Sequence, residues 1–297
     1  MTSANTSTRP APRFRLRDIA TLLGLRAAYR LGSRLRPART VAHAATLFQT
    51  PLPSSRTRAA AALPVTRARR ETLDVNGEAI ASYVWGDPAR QPYVLLVHGW
   101  SSFGLRFEAW AARLQALGFA AVAFDQPGHG CSAGTLCTLP DFARTAAAVG
   151  RHYGNAHAVI AHSLGGAAVT LALGDGWSAE RVVLIAPAAD PEAATRRFAR
   201  FVRLADRLRP ELHRLLAERT QVAIEDLHVS LHAPRRHQKV MIVHDAKDRD
   251  VPLAEGELYE SLWPGARLVR TTGLGHRKIV EDGDVVALII SFVSAAD

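Results

Sequence analysis

Cysteine, lysine and long apolar runs are all scarce in this 297-residue sequence. Two cysteines, Cys131 and Cys137, are too few for a disulfide framework. Close together in a loop-like stretch, they read as free thiols of a reducing, cytoplasmic and bacterial setting. A zinc site needs more ligands, and only His129 stands near the pair. No run approaches the ~18 consecutive apolar residues of a membrane span. The short apolar stretch at Ile19–Leu25 is cut by Arg26, unlike the core of a signal peptide. No pattern for a metal or a cofactor appears elsewhere, so neither is expected. Hydrophobic residues at 48% and charged residues at 22% exclude a disordered or fibrous chain. Internal repeats are absent, and the length suits one large domain or two small ones.

Acidic residues are scarce too, but only locally. Residues 1–70 carry 14 Arg against a single acid, Asp18, a net of +13. Residues 71–297 are close to neutral at −3, so the overall +10 belongs to one end of the chain. Confined there, and without a recognised motif, the basicity excludes a nucleic-acid partner for the body. Within residues 1–50 the helical pattern is poor. Gly24 and Gly32 weaken it, Pro37 stops it, and Arg30 and Arg34 fall among the apolar positions of the wheel. The Arg-rich, Ser/Thr-rich composition resembles an organelle transit peptide and equally suits an extension packed on the body. Peripheral contact of residues 9–39 with an anionic membrane stays open. Residues 51–70, with Pro51, Pro53 and Pro64, read as a linker or wrap. The expected organisation is therefore a basic extension and linker over 1–70 and one domain over 71–297.

That domain opens with two strand-like runs, Glu71–Val75 and Glu78–Trp85, joined by Asn76-Gly77, the preferred pair for a type I′ turn. Short apolar strands then alternate with helices. Strands are expected at Tyr93–Val97, Phe119–Phe124, Ala156–Ala161, Arg181–Ile185, Lys239–His244 and Arg267–Thr271. Helices are expected at Arg106–Leu117, Asp141–Tyr153, Leu164–Leu173 (closed by Gly174) and Val285–Val293. Such alternation predicts an α/β fold with a mostly parallel central sheet covered by helices on both faces. The stretch 188–238 is too long for a simple crossover and should hold extra helices.

The sharpest motif is Ala161-His162-Ser163-Leu164-Gly165-Gly166, between an expected strand and an expected helix. That is the setting of a nucleophile elbow, in which small residues flank a serine on a strained turn. Alone it is weak, since Ser163 could simply cap the helix. Two further motifs stand at strand ends: His98-Gly99-Trp100, and Asp125-Gln126-Pro127-Gly128-His129-Gly130.

In order and spacing these motifs resemble the α/β-hydrolase superfamily, in its esterase- and lipase-like serine hydrolase branch, over about residues 71–297. The resemblance implies that fold, with a small helical cap at about 188–238. It also implies a Ser-Asp-His triad in that chain order. His244-Asp245-Ala246-Lys247-Asp248-Arg249-Asp250-Val251-Pro252 resembles the family's H-G-x-x-D-x-x-V-P, which places the acid at Asp248. Asp245 stands where a glycine is usual, so Asp245 and Asp250, and Asp190 after the preceding strand, are alternatives. His276, in Gly273-Leu274-Gly275-His276, is the only histidine after Asp248. His98, His129 and His162 read as loop-shaping or pocket residues. The oxyanion donors implied are the backbone N–H groups of Trp100 and Leu164.

The implied activity is hydrolysis of small or medium carboxylic esters or thioesters through an acyl-enzyme on Ser163. Acyl transfer or a cofactor-free perhydrolase on the same triad is the alternative, and a catalytically silent binding protein the next. A Ser nucleophile disfavours the dehalogenase and epoxide-hydrolase relatives, which use Asp. The arginines of 188–238 are either a solvated face paired with Asp206, Glu211 and Glu218 or selectors of anionic substrates.

Overall fold

The computed structural model describes residues 16–173 and 177–295, apart from the side chains of 16–18. Its centre is an eight-stranded sheet: β1 (Arg69–Val75), β2 (Glu78–Trp85), β3 (Tyr93–Val97), β4 (Ala120–Phe124), β5 (Ala156–His162), β6 (Ala179–Ile185), β7 (Lys239–Asp245) and β8 (Arg267–Thr271). The spatial order is β1-β2-β4-β3-β5-β6-β7-β8. Only β1–β2 and β2–β4 are antiparallel, and every other pairing is parallel. Strands β3 and β4 are buried throughout, as their unbroken apolar sequences require of strands covered on both faces. The expected mostly parallel sheet is therefore present.

Helices α4 (Glu108–Ala116), α5 (Leu139–Tyr153), α6 (Leu164–Ala172), α9 (Leu253–Leu262) and α11 (Gly283–Ser294) clothe the sheet. The apolar layer on one face includes Ala146, Val169, Tyr259 and Trp263, from α5, α6, α9 and the residue just after α9. The other includes Trp110, Leu114, Val285 and Ile289, from α4 and α11. Helix α5 starts two residues earlier than expected because Thr138 and Asp141 form a capping box. Helix α6 ends at Ala172, and Gly174 lies outside the described residues. Local pattern predicts no helix at α9, where Gly256 interrupts a weakly patterned segment. Its backbone is pressed so closely on His244 that an added Cβ would lie 2.5 Å from Nδ1.

The chain passes from β3 outward to β4 and then returns to the other side of β3 as β5. That reversal opens a crevice at the carboxyl ends of β3 and β5, the usual ligand position in such sheets. Between β6 and β7, residues 188–238 form α7 (Pro191–Val202), α8 (Arg209–Thr220) and short 3-10 turns.

Residues 16–66 differ from expectation. Gly24 and Gly32 do not interrupt α1 (Leu16–Leu35), and Pro37 begins a second helix, α2 (Pro37–Phe48), where its fixed φ suits the first turn. The supposed linker contains α3 (Ser54–Ala62). Packing supplies what the propensities lack. Tyr29, Val41, Ala44 and Ala45 share one buried cluster with Ala199, Val202, Leu212 and Leu216 of α7 and α8. Arg207 donates to Ser33 O at 2.6 Å and Arg219 to Gln49 Oε1 at 3.0 Å. Other insert arginines pair with acids as a solvated face would, Arg209 with Asp206 and Arg214 with Glu211. No helix among the described residues is long and apolar enough to cross a membrane.

Candidate active site

The loop ends of β3, β5, β7 and the segment after β8 meet at one edge of the sheet. Ser163 follows β5 with φ 56° and ψ −124°, in the left-handed region that a non-glycine residue occupies only under constraint. Its amide donates to Ile185 O at 2.9 Å, and its carbonyl accepts from Ala188 at 3.2 Å. Close neighbours on every side enforce the turn. A Cβ on Gly165 would lie 2.7 Å from His98 O, and one on Gly99 would lie 2.8 Å from Ser163 Cβ. The Ser163 side chain makes no helix cap. Its hydroxyl instead donates to His276 Nε2 at 2.9 Å.

His276 lies in α10 (Gly275–Lys278), and its Nδ1–H donates to Asp248 Oδ2 at 2.7 Å. The other Asp248 oxygen accepts the backbone N–H groups of Asp250 and Val251 at 2.8 and 2.9 Å. Burial pushes the Asp248 carboxyl up. His244 and His276 beside it, with the Val251 N–H, outweigh that and hold it below the usual carboxylate range. A fixed anion there sets the tautomer of His276, with the lone pair of Nε2 turned to Ser163.

The three other candidate acids do not meet His276. Asp190 caps α7 by accepting from Ala193 N at 2.8 Å. Asp250 is exposed near Arg277. Asp245 is buried, and Oδ2 accepts from the Thr271 hydroxyl and the Leu274 amide, both at 2.9 Å. It thus ties down the loop that delivers His276. Those donors hold its carboxyl low although burial alone would raise it.

The histidines outside this relay shape loops. His98 Nδ1–H donates to Gly99 O at 2.7 Å while Nε2 accepts from Gln126 N at 3.0 Å. His129 repeats the arrangement with Pro127 O at 2.8 Å and Ser101 N at 3.0 Å. His162 donates from Nε2 to His276 O at 2.9 Å, and its Nδ1 is buried without a partner. Burial pushes all three rings below the ordinary histidine range, His129 to about 4, so they stay neutral.

The carboxylate of Asp125 accepts from Tyr83 Oη, Gly104 N and Cys131 N at 2.6–2.7 Å, and burial raises its pKa. It organises the loop after β4. Two contributors are not among the expected site residues. His244 stands with Nε2 3.6 Å from Asp248 Oδ2, and Arg106, its side chain 11% exposed, reaches Ser102 Oγ at 3.2 Å. His244 opens the stretch that resembles H-G-x-x-D-x-x-V-P, a signal for the loop and not for a contact with its acid, and Arg106 belongs to no motif.

Trp100 and Leu164 flank the serine. The Gly99–Trp100 turn lies against Ser163, and Leu164 opens α6, where a backbone N–H has no intrahelical acceptor. Their side chains pack on one small apolar cluster with Phe142, Ala143 and Leu171. Away from the serine, Glu192, His213 and Glu225 in the insert place one ligand atom each within 4.8 Å of the others. His213 is held there by Thr195 at 2.7 Å.

A family model described as serine aminopeptidase, S33, matches residues 88–260, more than half of the chain. A search of curated sequences found no match. Among solved structures, the mouse alpha/beta hydrolase domain-containing protein 10 superposes with a TM-score of 0.61 at 20% identity, covering 76% of this chain and 97% of its own. An esterase from Exiguobacterium antarcticum gives 0.57 at 19%, covering 74% and 97%. The thioesterase domain of the curacin biosynthetic pathway gives 0.55 at 19%, covering 77% and 100%.

Proposed function

Because the chain belongs to the α/β-hydrolases, in the family described as serine aminopeptidase, S33, we propose that it hydrolyses small carboxylic esters or thioesters through an acyl-enzyme on Ser163. The hydrogen-bonded line Ser163–His276–Asp248 carries this reading. His276 Nε2 takes the hydroxyl proton as Ser163 Oγ attacks the acyl carbonyl. Asp248 stabilises the imidazolium that forms. The N–H groups of Trp100 and Leu164 receive the charge that develops on the carbonyl oxygen, and loss of one such donor removes about 3 kcal/mol of stabilisation. The proton then passes to the leaving oxygen or sulfur. Water, activated by the same imidazole, releases the acid.

The esterase and thioesterase among the structural neighbours support an acyl ester or thioester as substrate. The apolar cluster beside Trp100 and Leu164 offers a surface for a short acyl chain. The insert 188–238 serves as the cap of this domain, and residues 1–70 are an extension attached to it.

A fluorophosphonate probe tests the assignment. The protein is expected to label with one probe per chain, and Ser163→Ala to lose both labelling and at least about 10³-fold of ester turnover. Equal labelling of the two proteins overturns it. A panel of p-nitrophenyl esters set against aminoacyl p-nitroanilides separates ester from peptide chemistry. Faster turnover of the anilides would place the chain with the aminopeptidases.

A further inference from the structure

The extension is fastened to the loop that carries a proposed oxyanion donor. Ser101, next to Trp100, has φ 53°, a left-handed conformation that a serine keeps only if its surroundings hold it. Each of its polar groups is engaged. Its N–H donates to His129 Nε2 at 3.0 Å. Its hydroxyl accepts the backbone N–H of Leu52 at 2.9 Å. Its carbonyl accepts Arg58 Nη2 at 2.6 Å. Two of these three partners belong to the extension. The same segment grips the loop of His129. Arg56 donates to Ser132 O and Gly134 O at 3.1 and 2.7 Å, Gln49 O accepts from Cys137 N at 2.8 Å, and Pro51 packs against Gly128.

We propose that residues 49–58 are a positioning element of the active site, with Arg58 and the Leu52 amide holding Ser101, and through it the Trp100 N–H, aimed at the oxyanion. This rests on the acyl-enzyme reading above. The matched family region begins at residue 88, so the clamp comes from outside it. Arg58 touches no reacting atom. Its removal leaves the Ser101 carbonyl to water and lets the turn relax.

Arg58→Ala and Arg58→Lys in the full chain test this by ester kinetics and by hydrogen exchange of the peptide spanning 99–105. Arg58→Ala is expected to lower kcat about tenfold, with KM within about twofold and faster exchange in that peptide. Arg58→Lys, which restores one donor, should recover most of kcat. An unchanged kcat with unchanged exchange overturns the clamp, as does a fall in kcat that exchange at 99–105 does not accompany. Exchange needs no turnover. A wild-type protein inert to the fluorophosphonate would therefore sink the acyl-enzyme reading while still deciding whether Arg58 holds the loop.

A different surface carries a second inference. Helix α1 has two apolar faces. Leu25, Tyr29 and Ser33 face the insert, with Arg26 Nε on Phe201 O at 2.8 Å. On the opposite side Leu23, Ala27, Leu31 and Leu35 form an exposed ridge at four-residue spacing, and the three leucines are 59–68% exposed. Arg30 and Arg34 run along one edge of this ridge, and the extension offers only Asp18 as an acid. A second copy of the helix would face arginine with arginine. An anionic lipid surface accepts both the leucines and the guanidinium groups, whose long stems reach the headgroups.

We infer that this ridge docks on anionic membranes. Residues 9–15 of the segment considered above lie outside the described residues. The full chain is expected to co-sediment with vesicles containing about a third phosphatidylglycerol and not with pure phosphatidylcholine. The pair Leu23→Glu and Leu31→Glu should lower the bound fraction at least about tenfold with turnover of a soluble ester unchanged. Failure of the wild type to pellet, or pelleting that the double variant retains, overturns the inference. So does a concentration-dependent dimer that the same variant dissolves without any vesicle binding.

Discussion

Asp248 and Asp245 are three residues apart, both are buried, and they do different work. Asp248 fixes the His276 imidazole directly, whereas Asp245 holds the Thr271–Leu274 turn on which that histidine stands. Asp248→Asn should reverse the hydrogen-bond preference of Nδ1 and lower kcat about 10⁴-fold with the fold intact. Asp245→Ala leaves the relay composed of the same groups but loosens its support, so a fall of about 10- to 100-fold is expected. Steady-state kinetics of the two variants on one ester, beside their thermal midpoints, separate the roles. Sequence spacing put the acid at Asp248, where the hydrogen bond to His276 is found. It could not say what Asp245 does in place of a glycine, because its partners lie 26 and 29 residues further on.

At the scale of elements, the body was legible wherever local pattern and burial agree. Strands β3 and β8 fall on the expected residues, and the Asn76-Gly77 turn joins β1 to β2. The helices of the extension are poorly legible in local pattern because they are stabilised by α7 and α8, about 170 residues away, and not by their own propensities. The wheel of α1 looked poorly amphipathic because the helix carries two apolar faces, one packed and one bare. The elbow makes a firmer demand. Its helix approaches β3 so closely that Gly165→Ala must displace the carbonyls of His98 or Val97. A loss of about 2–3 kcal/mol is expected, seen as a fall of about 1 M in the urea midpoint.

Across the whole molecule, three histidines buried as neutral rings couple folding to pH. His98, His129 and His162 titrate below the ordinary histidine value in the fold and near 6.5 when unfolded. Between pH 6.5 and about 4 the unfolded chain binds more protons, so stability falls as the pH falls through that window. Asp125, raised by burial, acts with the opposite sign. Asp248, held low, adds its own loss only near and below the ordinary carboxylate range. Denaturant titrations at pH 7 and pH 5 should give about two to three protons taken up on unfolding at the lower pH, and a flat profile would contradict neutral burial.

The fastening of the extension also sets an order of events during synthesis. Helices α1 and α2 leave the ribosome before the insert does, and their polar ties to Phe201, Arg207 and Arg219 wait for chain made some 170 residues later. The bare leucines of α1 therefore spend translation beside an equally uncovered packing face. These two helices are among the last elements of the described chain to be seated.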